Sequence, residues 1–290
     1  MSNTSTTMTL DRSPAHSRRH AQYLATACDL AYLPEQEGRR EFASQLRLDA
    51  TLISVDNTQA YVGENETSIV IAFRGSQSPA SLDGVKDWLL TNARNFLVLP
   101  EGRIGTDFAA AGVGARFHRG FLEALDEIWS PLYEQVETVF SKQDRPVWVT
   151  GHSLGGALAL LCAWRMHQHF VPIHQVCTFG APMIGNLAAA EAFAREFPDQ
   201  IYRYVDAGDL VPRLPMIGLL SNDYDHCRRE IVVGQSNLLT AANHISDVAA
   251  TTVDGAIDSN VVETVWSEIR KGMPSHLMGN YLTRLTDPVS

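Results

Sequence analysis

Residues 146–159 read PVWVTGHSLGGALA and contain the most informative pattern in this chain. The run 146–150 has the length and composition of a buried strand, and residues from Leu154 to about Phe170 have those of a helix. Ser153 lies between them at the centre of a G-x-S-x-G motif. A sharp strand-to-helix turn around a serine needs small neighbours, because strand and helix come close there. The pattern therefore predicts a nucleophile at Ser153 rather than an ordinary glycine-rich turn.

The composition is that of an ordinary globular protein. The 290 residues are 45% hydrophobic and 19% charged, and no linker-like or repetitive segment divides the interior. We therefore expect a flexible leader over residues 1–15 and a single domain over residues 16–290. The formal charge of −10 at pH 7 disfavours nucleic acids and anionic membranes as partners. Any contact with a lipid surface would then be apolar.

The N-terminal region lacks the usual export and membrane signals. There is no run of 18 apolar residues, which predicts no transmembrane segment, and no apolar core of a Sec signal peptide is visible. Apolar residues between Tyr23 and Ala31 repeat at helical spacing instead, which predicts a docked amphipathic helix. We therefore expect a protein that is cytoplasmic or exported by a leaderless route. The four cysteines form no CxxC pair, so the sequence predicts neither a metal site nor a disulfide framework.

Strand and helix patterns alternate along most of the chain. This order predicts an α/β fold with a mostly parallel central sheet flanked by helices, in which catalytic groups collect at the carboxyl ends of the strands. Besides those in 146–159, the predicted elements are a hairpin at 51–55 and 59–62, strands at 68–73, 175–179, 201–205 and 230–233, and helices at 120–140, 187–197 and 261–269.

A serine hydroxyl is a poor nucleophile at neutral pH, so it needs a base and an acid that orients the base. Two acids, Asp206 and Asp209, follow the strand at 201–205. Gly208 would ease a turn that aims Asp209 at the serine, but the residues alone leave both acids open. In α/β-hydrolases the order along the chain is serine, acid, histidine. The histidines that lie beyond the serine are His167, His169, His174, His226, His244 and His276.

Further motifs occur in a characteristic order, namely FRGS at 73–76, FHRGF at 117–121, FGAPMIGN at 179–186 and DLVPRLP at 209–215. With GHSLGGALA at 151–159, they make the chain similar to the class 3 (fungal-type) lipases from about residue 70 to residue 281. The resemblance implies a single-domain α/β-hydrolase with a lid loop. Carried over by position, it implies Ser153 as the nucleophile, Asp209 as the acid and His276 as the base.

The same resemblance implies an oxyanion hole and a lid. The oxyanion hole would consist of the backbone N–H groups of Ser76 and Leu154. The lid corresponds to the loop that follows Ser76, and a second apolar loop follows Asp209. The residues that we assign to the lid or acyl pocket, with packing into the core as the alternative, are Trp88, Leu89, Leu90, Met216, Ile217, Leu219 and Leu220.

Some positions depart from the family pattern. Asp206 stands where relatives usually have asparagine, and Met183 stands where arginine is common. Thr91 stands where an acid often fixes the oxyanion residue. His226 matches a family histidine that is not catalytic, so we expect it to have a structural or pocket-rim role.

The predicted function is that of a serine carboxylic-ester hydrolase that cleaves acylglycerols through an acyl-enzyme intermediate. The substrate would be a lipid or another apolar ester, with transient contact at a lipid–water interface. This mechanism requires no metal and no organic cofactor. The alternatives are a phospholipase A1, a short-chain carboxylesterase, or a hydrolase-fold protein that binds without catalysis. The intact set of candidate residues argues against the last of these.

Overall fold

The computed structural model describes residues 9–13, 15–76, 97–213, 224–227, 229–234, 267 and 270–286. The strands are β1 Asp49–Val55, β2 Thr58–Glu64, β3 Ile69–Phe73, β4 Leu97–Val98, β5 Phe117–His118, β6 Val147–His152, β7 Ile173–Phe179, β8 Gly185–Asn186, β9 Ile201–Asp206, β10 Tyr224–Asp225 and β11 Glu230–Val233. The helices are α1 Arg18–Leu30, α2 Glu35–Glu41 with a π-helical turn at Phe42–Leu46, α3 Gly102–Ala109, α4 Arg119–Phe140, α5 Leu154–Gln168, α6 Leu187–Glu196 and α7 Met278–Thr286.

The central sheet has the strand order β1-β2-β3-β6-β7-β9-β11 among the described residues. β1, β2 and β3 are antiparallel neighbours, whereas the pairs from β3 to β11 are all parallel. The carboxyl ends of β3, β6, β7 and β9 therefore lie at one edge of the sheet. A small antiparallel sheet of β10, β8, β5 and β4 accompanies it. The predicted α/β class with a mostly parallel sheet is confirmed.

Two hydrophobic cores cover the two faces of the central sheet, because successive side chains of a strand point to opposite faces. In β3, Ile69, Ile71 and Phe73 belong to the core that includes α4 and α5. Val70 and Ala72 belong to the core that includes α1 and α7. All five side chains are buried, which explains why this strand is a continuous apolar run in the sequence.

Helix α5 lies within the core, and residues 155–166 are all buried. A helix that is apolar on every side is typical of a core position rather than a surface one. This burial fixes the start of α5 firmly against the sheet. The residue before the helix, Ser153, is therefore held in one place.

The other predicted elements agree with the structure where it describes them. The hairpin is β1 and β2, the N-terminal helix is α1, and α4 runs as one helix with Pro131 inside it. Residues 230–233 form β11, parallel to β9. The helix predicted at 261–269 lies outside the described residues except for residue 267.

The N-terminal region contacts the domain where it is described. Leu10 is buried, and Arg12 Nη2 donates a hydrogen bond to the Asp144 carbonyl at 2.5 Å. The boundary at residue 15 stays a prediction. No helix in the ranges given above has the length and apolar character needed to cross a membrane. Cys162 in α5 and Cys177 in β7 are buried free thiols.

Candidate active site

Ser153 occupies the turn between β6 and α5 in a backbone conformation with φ 57° and ψ −128°. This conformation is rare for residues other than glycine and occurs where the surrounding structure enforces it. The Ser153 N–H donates a hydrogen bond to the Phe179 carbonyl at 2.9 Å, which ties the turn to β7. A Cβ at Gly155 would lie 2.5 Å from the Phe73 carbonyl oxygen, and one at Gly156 would lie 2.6 Å from the Ala181 Cβ. The predicted need for small residues around Ser153 is confirmed.

Ser153, His276 and Asp209 form one hydrogen-bonded line. The distance from His276 Nε2 to Ser153 Oγ is 2.9 Å, and the distance from His276 Nδ1 to Asp209 Oδ2 is 2.8 Å. Ser153, His276 and Asp209 are 5%, 3% and 2% exposed. Because the carboxylate can only accept from Nδ1, that nitrogen carries the hydrogen, and Nε2 is free to accept the serine proton. The line is therefore arranged for proton transfer away from the hydroxyl.

The Asp209 carboxylate has two further donors. Its Oδ1 accepts from the Val211 N–H at 2.9 Å, and its Oδ2 accepts from the Tyr281 hydroxyl at 2.6 Å. Burial and the adjacent Asp209 raise the pKa of Tyr281 well above its ordinary value, so this hydroxyl stays protonated and remains a donor. These bonds hold the carboxylate in one orientation toward His276.

Gly180 provides the space in which Asp209 and His276 meet. Its φ is +60°, and a Cβ there would lie 2.7 Å from Asp209 Oδ2 and 3.0 Å from His276 Nδ1. Any side chain at this position would be strained and would press on the bond between acid and base. The sequence gives no sign of this role, because the contact involves residues far apart in the chain.

Asp206 does not contact His276 and instead braces the loop. Its Oδ1 accepts from the Gly208 N–H at 2.8 Å, and its Oδ2 accepts from Asn280 Nδ2 at 3.0 Å and Arg284 Nε at 3.2 Å. Gly208 was expected to ease the turn that aims Asp209 at the serine. Gly208 is not among the residues with positive φ, so its backbone conformation does not require a glycine. A Cβ there would overlap the Ser275 hydroxyl, so Gly208 is needed for space.

The two residues expected to stabilise an oxyanion are Leu154, next to Ser153 in the chain, and Ser76, next to Gly75. Leu154 is the first residue of α5, and first-turn N–H groups have no partner within their helix. Ser76 is the last described residue of the turn after β3. The preceding residue, Gly75, packs against Ser153. A Cβ at Gly75 would lie 2.6 Å from the His152 carbonyl oxygen and 3.3 Å from the Ser153 Cβ.

The other histidines beyond Ser153 have different partners where the structure describes them. His167 lies 3.6 Å from Glu196, and His169 lies 3.1 Å from Asp107. His174 belongs to β7 and contacts the Ser13 carbonyl, and His226 contacts the Pro212 carbonyl at 2.6 Å. Pro212 belongs to the 3₁₀ turn 211–213 after Asp209, so His226 has the structural role expected of it. His244 lies outside the described residues.

The predicted lid and acyl-pocket residues also lie outside the described part of the chain. They are Trp88, Leu89, Leu90, Met216, Ile217, Leu219 and Leu220. The same holds for Thr91, whereas Met183 is described and is buried.

Sequence reasoning missed Tyr281 and Tyr32 as polar residues near the site. Tyr281 lies five residues after His276 on α7, and its hydroxyl also accepts from the Asp206 N–H at 3.0 Å. The only sequence signal is a tyrosine on the buried face of a short C-terminal helix. Tyr32 follows α1 and hydrogen-bonds to His152, a contact that no local pattern indicates.

Comparisons with known proteins match this chain to lipases. The family model "Lipase (class 3)" matches residues 70–219. A lipase from Rhizomucor miehei is 31% identical over 172 residues, which are 57% of this chain and 42% of that protein. A secreted mono- and diacylglycerol lipase A from Penicillium cyclopium is 27% identical over 236 residues, which are 81% of this chain and 69% of that protein.

Solved structures show the same fold. The Lip2 lipase from Yarrowia lipolytica superposes with a TM-score of 0.63 at 20% identity, covering 74% of this chain and 78% of that one. A triacylglycerol lipase described as having a serine protease triad as its catalytic centre superposes with a TM-score of 0.57 at 26% identity. That match covers 76% of this chain and 82% of the other. The α/β-hydrolase fold is therefore confirmed.

The expected cellular location is wrong. Several relatives are named as secreted mono- and diacylglycerol lipases, including proteins from Penicillium cyclopium, Gibberella zeae and Fusarium solani. These names point to an extracellular location and contradict the expectation of a cytoplasmic or leaderless protein. The absence of an apolar core in the N-terminal residues was therefore a poor guide to location.

Proposed function

The chain belongs to the class 3 lipase family, and from that membership we propose that it is a serine carboxylic-ester hydrolase that cleaves acylglycerols. The observation that carries the proposal is the unbroken line of hydrogen bonds from Ser153 through His276 to the buried Asp209. A hydroxyl in such a line is activated by the neighbouring base, whereas an isolated serine is a poor nucleophile.

In the first half of the reaction, Ser153 Oγ attacks the ester carbonyl carbon as His276 Nε2 accepts the hydroxyl proton. The imidazolium that forms is stabilised by Asp209, which keeps its own negative charge. The carbonyl oxygen becomes an oxyanion, which we assign to the N–H groups of Leu154 and Ser76. The dipole of α5 also favours negative charge at this helix start.

In the second half, His276 returns the proton to the departing alcohol, and the acyl group remains on Ser153. Water then attacks the acyl-enzyme with His276 again as the base, and the carboxylic acid is released. Each group in the line is used twice, and the enzyme returns to its starting protonation state.

We assign neutral acylglycerols as the substrate class. The names of the fungal relatives support this assignment, since they act on mono-, di- or triacylglycerols. The formal charge of −10 also supports it, because this charge repels surfaces rich in anionic phospholipid. Phospholipid hydrolysis is the second candidate, because one relative, from Arabidopsis thaliana, is named phospholipase A(1).

We also propose an extracellular protein that makes transient apolar contact with a lipid–water interface. Leu277, directly after His276, is 58% exposed and gives this edge of the protein an apolar side chain. The lid and acyl-pocket assignments of residues 88–90, 216, 217, 219 and 220 belong to the same proposal.

The decisive experiment replaces the nucleophile. Ser153→Ala is expected to lower kcat for ester hydrolysis by about 10⁴- to 10⁶-fold, because the acyl-enzyme can no longer form. A fluorophosphonate should label the wild-type protein at one serine and leave the variant unlabelled. Far-UV circular dichroism of the variant checks that it is folded. Hydrolysis by Ser153→Ala at the wild-type rate would remove Ser153 from the mechanism.

Substrate class is tested with a matched set of esters. Rates on p-nitrophenyl esters from acetate to palmitate, on mono-, di- and trioleoylglycerol and on phosphatidylcholine should be highest for long-chain acylglycerols presented as an emulsion. A preference for acetate without any effect of an interface would identify a short-chain carboxylesterase. A preference for phosphatidylcholine would identify the phospholipase.

A further inference from the structure

Two polar side chains outside the proposed triad, Tyr32 and His152, lie between the Gly75 turn and the backbone of His276. His152 is the last residue of β6, immediately before Ser153, and is 5% exposed. Tyr32 lies in the turn after α1 and is partly buried. The mechanism derived above uses neither side chain, although both contact residues that surround the reacting groups.

The hydrogen bonds of His152 define its tautomer. Its Nε2 lies 2.6 Å from the His276 backbone carbonyl, and its Nδ1 lies 2.8 Å from the Tyr32 hydroxyl. A carbonyl oxygen can only accept, so Nε2 carries the hydrogen and donates it. Nδ1 is then an acceptor, and the Tyr32 hydroxyl donates to it. One neutral form of the ring satisfies both contacts.

His152 cannot replace His276 as the base. Both of its ring nitrogens are engaged, one with Tyr32 and the other with the His276 carbonyl. Burial, reinforced by the neighbouring His276 ring at 4.7 Å, lowers the pKa of His152 to about 3. The ring therefore stays neutral at the pH of the reaction, and it acts through its shape and its hydrogen bonds rather than through charge.

The bond to His276 is made where the C-terminal helix is interrupted. Residues 270–276 are helical, Leu277 breaks the helix, and α7 begins at Met278. The Asn280 N–H donates to the Leu277 carbonyl at 2.9 Å, one residue beyond the carbonyl of His276. The His152 ring thus holds a backbone group at this break, directly beside the side chain that must reach both Ser153 and Asp209.

At the other end, Tyr32 fits closely against the turn before Ser76. A Cβ at Gly75 would overlap the Tyr32 hydroxyl, so the two are in direct contact. The Gly75 backbone also acts against the rise in the pKa of Tyr32 that burial causes. The hydroxyl therefore lies against the turn after β3 while it donates to His152.

We propose that Tyr32 and His152 are positioning residues that fix the oxyanion turn and the base relative to Ser153. The connection runs from the Gly75 turn, which packs against the Tyr32 hydroxyl, through the neutral His152 ring to the His276 carbonyl, and we call it the Tyr32–His152 relay. It rests on the proposed function, because positioning has meaning only if Ser153 and His276 react. A misplacement of about 1 Å between reacting groups can lower a rate by about 100-fold.

The first test removes one oxygen atom. Tyr32→Phe is expected to lower kcat by about 10-fold and to change KM by less than about 2-fold, because substrate binding is kept while alignment is lost. The matched control is Tyr23→Phe, which removes a buried hydroxyl from α1 that donates to the Leu46 carbonyl at 2.7 Å, away from the site. The control should lower the thermal unfolding temperature and leave kcat unchanged.

The second test separates the two ends of the His152 ring. A glutamine amide reaches about as far as Nε2 and can still donate to the His276 carbonyl, whereas a shorter asparagine can only replace Nδ1. His152→Gln is therefore expected to keep more of the wild-type kcat than His152→Asn. If His152 had only a structural role, the loss of kcat in each variant would follow its loss of stability, with no additional difference between the two variants.

The pH profile provides the third readout. The relay carries no charge, so Tyr32→Phe should keep the wild-type midpoint on the acid limb of kcat/KM while its plateau falls. A shifted midpoint would make His152 a titrating group and overturn the relay. Unchanged kcat in Tyr32→Phe, with active wild-type enzyme, would overturn the relay alone. A wild-type protein that hydrolyses no ester would overturn the proposed function and the relay together.

Discussion

The two ends of helix α5 show opposite uses of polar groups. At its start, Ser153 has a positive φ and lacks a side-chain cap, and its hydroxyl bonds to His276. Near its end, Arg165 is 2% exposed and donates to Asp107 at 2.6 Å and to Asp126 at 2.9 Å. The Arg165 guanidinium also lies 4.1 Å from the centre of the Trp129 ring. One helix therefore carries a strained turn at one end and a well-paired buried charge at the other.

The difference shows what a reaction requires of a fold. Around Arg165 the native contacts pair the guanidinium with two carboxylates, and removal of one partner would leave a buried charge unpaired. At Ser153 the backbone conformation is costly, and the adjacent N–H of Leu154 is a first-turn group with no partner in its own helix. An N–H group that needs no partner within its helix can stabilise a transition state, which is the role that we propose for Leu154.

The largest expected effect is the loss of the acid at the reactive end. Asp209→Asn should lower kcat by about 10⁴-fold, because an amide in place of the carboxylate favours the wrong His276 tautomer and does not stabilise the imidazolium. Steady-state hydrolysis of a long-chain p-nitrophenyl ester measures this effect.

The matched control for that change is Asp206→Asn. It makes the same substitution after the same strand, at a carboxylate that bonds to Gly208, Asn280 and Arg284 rather than to His276. Its kcat should stay within about 3-fold of wild type, because the bond between acid and base is intact. A loss of 10⁴-fold in Asp206→Asn with an active Asp209→Asn would reverse the assignment of the acid.

The next largest effect is expected at the paired end. Arg165→Met should lower the free energy of unfolding by about 3–5 kcal/mol, since it leaves the largely buried Asp107 without its strongest partner. The kcat of the folded variant should stay within about 2-fold of wild type, as in substitutions remote from the reacting groups. Urea unfolding followed by tryptophan fluorescence measures the stability change.

Arg229→Met serves as the comparison for Arg165. Arg229 also lies 2.6 Å from a carboxylate, that of Asp199, but the two side chains are 54% and 70% exposed. An exposed pair contributes about 0–1 kcal/mol, so Arg229→Met should unfold close to wild type. Equal losses of unfolding free energy in Arg165→Met and Arg229→Met would mean that burial does not increase the contribution of Arg165 to stability.

The smallest expected effect concerns how the reactive end responds to acid. The folded pKa of His152 is about 3, below the ordinary value of 6.5. Below pH 6.5 the unfolded chain takes up a proton that the folded protein excludes, so stability falls as the pH falls. His152→Gln removes this proton uptake. Below pH 6.5 its free energy of unfolding should therefore fall less steeply than that of the wild type, and the two slopes should differ by about 1.4 kcal/mol per pH unit.

Unfolding midpoints measured between pH 4 and pH 8 would check this difference. Above pH 6.5 the two proteins should respond alike, because His152 is neutral in both the folded and unfolded wild type. Parallel curves for wild type and His152→Gln below pH 6 would show that His152 titrates normally in the folded protein.

Most of the fold could be predicted because its signals are local. A continuous apolar run marks β3, short stretches of strand-forming residues mark β6 and β7, and the 3- and 4-residue repeat marks α4. The G-x-S-x-G motif between β6 and α5 indicates Ser153, because the turn geometry itself demands glycines there. These patterns depend on neighbours within a few residues.

The partners of Ser153 needed more than local patterns. Asp206 and Asp209 both follow β9, and the sequence could separate them only through a family resemblance. In the structure, Asp206 bonds back to the Gly208 N–H, whereas Asp209 bonds to His276. The expected reason for Gly208 was wrong because the close approach of Ser275 is a tertiary contact.

The sequence by itself determined the parallel sheet, the nucleophile turn and a short set of acids and histidines, since backbone periodicity and turn sterics act over a few residues. Only the tertiary structure decided that Gly180 leaves room for the acid and base, that Tyr281 holds the acid, and that Tyr32 reaches His152. Tyr281 and Asp209 are 72 positions apart in the chain, and Tyr32 and His152 are 120 positions apart. Their geometry follows from the packing of whole strands and helices, which no window of sequence contains.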